Sequence, residues 1–538
     1  MQAWIQNYDP LGHIALSALA AAFPLFLLFF LLAIRRMAGF KAAFFCVSSA
    51  LLLAVLVWKM PWSMAFSTLA LGGSFGLFPI VWIIVNAVWI YNLTVESGEF
   101  ETIKSSLAGL TEDRRLQTVL ICFAFSCFLE GSSGFGTPVA IAAAMLVGLG
   151  FNPFYAAALC LVGNSASAAF GGIGIAIVVA ADVSGLDVLP LSGLVAAHLS
   201  LLSFFLPLWL TCIVCGFKKS LEIWPALLTA GLTYSLAMYL IARFSGPYLT
   251  GMASGLIAMF ALIVLFKLWR PKEIWRFAGD APAGAAPAGK LGAGRILRAW
   301  LPYLIMTVLV FICGQARYKA LVSGLEFEIP WPGLHDLVMK GPPIVAEDTN
   351  YGAVFKFNPL SSVGSAIFLA GFIASFLIPG YGPFKALACL KRTFFQLRYS
   401  ILTIGLVLAL AYIMNYSGLS STLGLAFTHT GALFPFFAPI IGWVGVFLTG
   451  SDTSANALFG SLERTTGEAL GTDPQLMVAA AATGGVTGKM ISPQSISIAT
   501  AATGQSGREG DLFRFAIRHS LAMLLVVCLM TFIDAYWL

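Results

Sequence analysis

Glu130, Asp452 and Lys489 are the residues of this chain whose types and settings point to chemistry, because each stands among small polar residues inside apolar sequence. Glu130 lies in FLEGSSGFGTP, from Phe128 to Pro138, and Asp452 in FLTGSDTSANA, from Phe447 to Ala457. A carboxylate at membrane depth costs about 2.5 to 3.5 kcal/mol on insertion scales unless it is paired, wetted or protonated. A group whose charge depends on solvent access is what a proton-coupled carrier needs, since desolvation favours the neutral acid. Both residues also admit a plainer role as helix N-caps or turn acceptors, and the Ser, Asp, Thr and Asn around Asp452 favour capping there. Lys489, in TGGVTGKMISPQSIS, can face a substrate carboxylate, pair with Asp452 or Glu130, or snorkel to an interface.

The two carboxylate stretches belong to a long internal repeat. Gly131 and Gly450 lie 319 residues apart, and Pro153 and Pro474 lie 321 apart. At the same 321 offset, Gly163, Ile175, Ile177 and Ala180 correspond to Gly484, Ile496, Ile498 and Ala501. Broken polar segments at matching places in two halves point to a transporter's binding site. Gly171, Gly172 and Gly174 break one segment, and Gly488 and Pro493 break its partner, freeing backbone groups for a ligand. Half-helix N-termini aimed at the centre favour an anion, and with Lys489 the one basic residue in the core segments, a monocarboxylate fits best. Hydroxyls of Ser132, Ser133, Ser451, Thr453 and Ser454 can read a substrate hydroxyl, and Gly134, Asn164, Ser492, Gln494 and Ser495 complete the candidate binding set. Ser165 and Ser167 serve helix packing or hydrogen bonding equally well. His198 reads as a structural hydrogen-bonding group, and His429 as a helix cap or an aid to proton passage.

These residues need a membrane scaffold. Of the 538 residues, 59% are hydrophobic and 10% charged, far too apolar for a soluble globule. Twelve spans are expected near residues 11–34, 41–59, 64–91, 154–181, 189–215, 222–242, 247–269, 299–314, 358–379, 399–415, 475–504 and 519–537. The first has no basic region before it, unlike a cleaved signal peptide. The fold class is all-α and polytopic, with two re-entrant hairpins near 116–150 and 430–471 whose tips carry Glu130 and Asp452. Basic residues gather in alternate loops, around Arg35, Lys218, Arg270, Lys391 and Arg508, which makes those loops cytoplasmic and puts both termini on the far side. Residues 1–221 form the first repeat, 222–298 connecting helices and a flexible linker over 281–294, and 299–538 the second, inverted repeat. Residues 96–115 should lie along the inner surface and the acidic 315–357 loop outside. The nine cysteines lack metal-site companions, and no P-loop, zinc spacing or Ser/His/Asp arrangement is legible, so no cofactor, catalytic group or nucleic-acid partner is expected.

Three long strings resemble the lactate permease family of bacterial inner-membrane carriers, within the ion transporter superfamily. They are FLEGSSGFGTPVAIAAAMLVGLGFNP (Phe128 to Pro153), GNSASAAFGGIGI (Gly163 to Ile175) and TGGVTGKMISPQSISIATAATG (Thr483 to Gly504). The resemblance covers essentially the whole chain and implies proton symport of L-lactate, D-lactate and glycolate across the inner membrane. The superfamily's sodium-coupled dicarboxylate members carry Ser-Asn-Thr at both tips. Here Gly-Ser-Ser follows Glu130 and Ser-Asp-Thr occupies Ser451 to Thr453, which argues for a titratable tip in place of sodium. Superfamily relatives tend to dimerise, so a homodimer joins the expected partners. The rival readings are a sodium-coupled or broader organic-anion carrier and, in another class, an integral-membrane enzyme or assembly factor.

Overall fold

A computed structural model describes residues 3–35, 37–134, 136–277, 292–345 and 347–537. Apolar sequence in lipid must satisfy its own backbone, and the chain answers with helices throughout. Among the described residues ten are long and apolar enough to cross a membrane, or eleven if one bent pair counts as a single span. The difference from twelve has identifiable causes. The expected span 358–379 shortens to Val363–Leu377. Segment 475–504 splits into Pro474–Lys489 and Pro493–Ala502, because Pro493 cannot continue the first helix. Segment 154–181 becomes Pro153–Ala166 and Ala168–Ser184, bent by 69°. Conversely, Leu419–Thr449, which includes the first arm of the second hairpin, is long and apolar enough to count as a span.

Two local expectations change. Lys391, Arg392 and Arg398 do not lie in a loop but on the 36-residue helix Gly382–Ser417, since Lys and Arg are good helix formers and extend their charges to water. The 315–357 segment adds a little β-structure to an otherwise helical chain. Val338–Lys340 pairs in parallel with Trp4–Ile5 and antiparallel with Thr349–Asn350, and Phe327–Pro330 pairs antiparallel with Val354–Phe357. Most of the expected 281–294 linker lies outside the described residues, and Ala293 already begins the helix Ala293–Gly314.

Hydrogen bonds sort the loops onto two opposite faces, joined by the 28-residue helix Val188–Cys215. At its far end, Arg115 donates to the Lys219 carbonyl (2.9 Å), Glu222 (2.7 Å) and the Glu273 carbonyl (2.9 Å), while Arg392 pairs with Glu96 at 2.6 Å elsewhere along the same amphipathic stretch. This is the basic face, and the 96–115 stretch lies on it. At the near end of that helix, Arg464 donates to the Ser184 carbonyl (2.6 Å) and Asn415 to that of Val183 (3.3 Å). Gln6 in turn donates to the carbonyls of Asn415 (2.9 Å) and Tyr416 (2.8 Å), so the N-terminal strand shares this opposite face. His198 bonds Asp534 at 2.6 Å, which is the structural role expected of it.

The two carboxylate stretches form helix-turn-helix hairpins that start from these opposite faces. The first runs from Arg114 through Ser126–Ser132, turns, and returns along Thr137–Gly148, where Arg114 donates to the Leu149 carbonyl. The second comprises Phe434–Thr449 and Asp452–Leu470. Small residues let each hairpin seat closely on its support. A methyl group at Gly442 would overlap the Ala481 carbonyl, and one at Gly484 that of Pro439. Helix Thr250–Leu268, expected only as a connection, holds the first hairpin in the same way: a methyl at Gly131 would strike the backbone of Met252.

Arg115 ties the basic face together. Its guanidinium is fully buried and is shared between Asp113 (2.8 Å), Glu222 and two carbonyls. Replacing it with Met leaves Asp113 buried beside no cation, and breaking a buried pair this way costs about 3–5 kcal/mol. Arg115→Met is therefore expected to unfold at markedly lower temperature in detergent, as read by intrinsic fluorescence on heating.

Candidate functional site

Three chain breaks bring their polar residues to one place. Lys489 ends helix Pro474–Lys489, where the negative end of the dipole favours a cation. Glu130 lies on the last turn of the first hairpin's inbound helix, and its Oε1 stands 2.7 Å from Lys489 Nζ. Asp452 opens the second hairpin's outbound helix, with Oδ2 3.2 Å from the same Nζ. Both carboxylates are enclosed, with Glu130 0% and Asp452 4% exposed, so the shared ammonium is what compensates them.

The geometry separates the roles left open by sequence. Ser451 is the N-cap of Asp452–Leu470, its hydroxyl accepting from Ser454 N at 3.2 Å. Asp452 does not cap, and neither of its oxygens accepts a hydrogen bond from the described residues. Glu130 Oε2 is likewise without a partner among them. Lys489 neither snorkels nor stands free. One ammonium faces two buried carboxylates; among the described residues Glu130 Oε2 and Asp452 Oδ1 have no partner, and Asp452 Oδ2 has only the 3.2 Å ion pair with Lys489.

These groups line a cavity of about 660 Å³. Gly134, Ser451, Thr453, Ser454, Gln494 and Ser495 join them on its wall. The other candidates are turned away from it. Ser132 and Ser133 donate back to the Leu129 carbonyl at 3.1 and 3.0 Å, and Ser492 caps helix Pro493–Ala502 by accepting from Ser495 N at 3.2 Å. Asn164 is buried beside the cavity's helix break without lining it, its Oδ1 unpartnered among the described residues. His429 is exposed before the second hairpin. Gly171 is needed where it stands, because a methyl there would overlap the Glu130 carboxylate.

The cavity extends toward the basic face. Its far wall is Gly39, Phe40 and Lys41, just after the first helix, together with Tyr399 and Thr403 of the long helix, and the Phe40 and Tyr399 rings stack at 5.0 Å. Toward the opposite face the same helices close, with Asn456 Nδ2 donating to the Ala176 carbonyl at 2.9 Å. Sequence reasoning missed the Gly39–Lys41 and Tyr399–Thr403 wall. Its one charged member, Lys41, read only as a topology signal.

The profile of the family described as L-lactate permease matches residues 17–538 of this chain. The chain belongs to the L-lactate permease family. It is 45% identical to glycolate permease GlcA of Escherichia coli K12 over 553 aligned positions, covering 100% of this chain and 99% of that one. It is 45% identical to the L-lactate permease of the same strain, covering 100% and 99%, and 44% identical to that of Bacillus subtilis strain 168, covering 99% and 98%. This permease-family chain is thus a multi-pass membrane protein of a transporter family.

Removing the cation should expose the charge imbalance. Lys489→Met leaves two enclosed carboxylates with no counter-ion and is expected to lose transport and about 3–5 kcal/mol of stability. Adding Glu130→Gln and Asp452→Asn should restore the melting temperature in detergent without restoring uptake of labelled substrate.

Proposed function

We propose that this chain carries small 2-hydroxy monocarboxylates, L-lactate, D-lactate and glycolate, together with a proton across the bacterial inner membrane. The relatives named for L-lactate and glycolate support the substrate class. The observation that carries the coupling is the count at the centre, one ammonium against two buried carboxylates. Such a cluster is neutral when one carboxyl holds a proton, and burial of an uncompensated charge is costly enough to enforce that state.

Loading then becomes an exchange. A proton neutralises the second carboxyl, for which Glu130 is placed by its 2.7 Å contact, and releases its share of Lys489. The substrate carboxylate takes the vacated position on the ammonium, and Thr453, Ser454, Gln494 and Ser495 offer hydrogen bonds to its hydroxyl. The cluster holds no more charge loaded than empty, so the loaded site can be enclosed. On the cytoplasmic side, where pH is higher, the proton leaves Glu130, the carboxylate returns to Lys489 and the substrate is expelled.

In this reading the basic face is cytoplasmic, both termini are periplasmic, the hairpins are re-entrant and inverted, and the cavity opens inward. Glycolate and lactate differ by a methyl, worth roughly 1 kcal/mol, so both should be carried.

Proteoliposomes with a luminal pH dye test the proposal, with empty liposomes as control because undissociated lactic acid crosses bare lipid. L-lactate, D-lactate and glycolate are expected to acidify the lumen with or without sodium, and succinate is not. Sodium dependence or a succinate response overturns the reading. Glu130→Gln should reduce lactate-driven acidification at least about tenfold, a barrier change of about 1.4 kcal/mol. Exchange of labelled for unlabelled lactate should survive, since glutamine mimics the protonated carboxyl. Undiminished acidification in both Glu130→Gln and Asp452→Asn overturns the coupling assignment.

A further inference from the structure

A second cavity, of about 240 Å³, opens beyond the central one on the opposite face. The two are stacked along the same helices. Ile175 and Ala176 line the first and Asp182 the second, and Thr453 and Ser454 line the first and Ser461 and Arg464 the second. At 1.5 Å per helical residue, the six residues from Ala176 to Asp182 separate the two by about 9 Å. Between them stands the Asn456 to Ala176 hydrogen bond.

The charges in this outer cavity are unequally committed. Asp182 accepts from Tyr412 Oη at 2.6 Å. Arg464 is paired with Glu468 at 2.7 Å and donates to the carbonyls of Ser184 and Gly185. Lys340 has no carboxylate within ion-pair distance among the described residues. Its ammonium sits 4.0 Å over the centre of the Tyr351 ring, which in turn stacks on Tyr416 at 4.2 Å. A cation on an aromatic face gains less than a carboxylate would return in the same half-enclosed place. The Ser421 and Ser461 hydroxyls line the same space and bond no group among the described residues.

We propose that this outer cavity is a recruitment site for the transported acid, in which Lys340 binds the carboxylate and the Ser421 and Ser461 hydroxyls meet its 2-hydroxyl before the central site opens. The inference rests on the monocarboxylate reading above. Burial and the nearby Arg464 charge hold the Lys340 ammonium below the usual lysine range, so an arriving anion relieves a cation that is already poorly solvated. The strand that carries Lys340 is pinned by pairing with Trp4–Ile5 and Thr349–Asn350, which fixes the cation over the cavity instead of leaving it on a mobile loop. Lys340 thereby becomes a specificity and capture residue that touches substrate only on the outer side.

Initial rates of labelled L-lactate uptake into vesicles of known orientation, with substrate offered at the outer or the inner face, decide the matter. Lys340→Gln is expected to raise the outer-face KM about five- to tenfold, with Vmax within about twofold and the inner-face KM unchanged, because the charge acts at encounter. Lys340→Arg should keep the outer-face KM near that of the natural chain. Added salt should weaken outer-face capture in the natural chain and leave Lys340→Gln unaffected. An unchanged outer-face KM in Lys340→Gln overturns the recruitment site, as does an equal loss of rate from both faces. Vesicles of the natural chain that take up no monocarboxylate at all would instead refute the transport reading itself, and the recruitment site with it.

Discussion

The structure is organised around one ammonium that must serve two buried carboxylates. No single uninterrupted helix can deliver that arrangement, because Lys489, Glu130 and Asp452 all have to reach one point near the middle of the fold. Three helices therefore end there, and each end has its own chemical device. Pro493 stops one helix beyond Lys489, the turn after Ser133 stops another, and Ser451 starts the third. Helix ends carry unsatisfied backbone groups, and at this depth only protein or cavity can satisfy them. The glycine contacts of both hairpins follow from the same demand, since the broken helices can be held only by neighbours that approach to backbone distance.

The surroundings of this cluster are unequal on its two sides. Toward the basic face the walls are small or stacked residues and leave a continuous cavity, whereas toward the other face a side-chain amide bridges two helices. In the carrier reading proposed above, a state with the opposite inequality would complete the cycle.

Much of this was legible in residue type. A carboxylate amid glycine and serine in apolar sequence is conspicuous because the membrane penalises it, and Glu130, Asp452 and Lys489 were singled out for that reason. Glycine and proline likewise marked the left-handed stretch of Gly172, Ile173 and Gly174 and the break after Lys489. What sequence could not fix was partnership: Glu130 and Lys489 are 359 residues apart, and nothing in either segment says that the lysine takes both acids. Serines misled for a related reason. Ser132 and Ser133 are as polar as Ser451, but a hydroxyl can bond its own helix carbonyl, so polarity alone does not aim it at a cavity. The long helix Gly382–Ser417 was hidden because its basic residues resemble a loop.

The charge count at the centre reaches further than the site. If the cluster gains one proton whenever it gains one anion and is otherwise neutral, no net charge crosses the bilayer in either half of the cycle. Moving one elementary charge through 100 mV is worth about 2.3 kcal/mol, and a carrier so built can draw on none of it. Its accumulation of substrate is set by the pH difference alone, about tenfold for each unit. Cells that keep a large membrane voltage but a small pH gradient would gain little concentrating power from such a protein. They would gain a valve that lets a fermentation acid flow inward or outward with whichever gradient prevails.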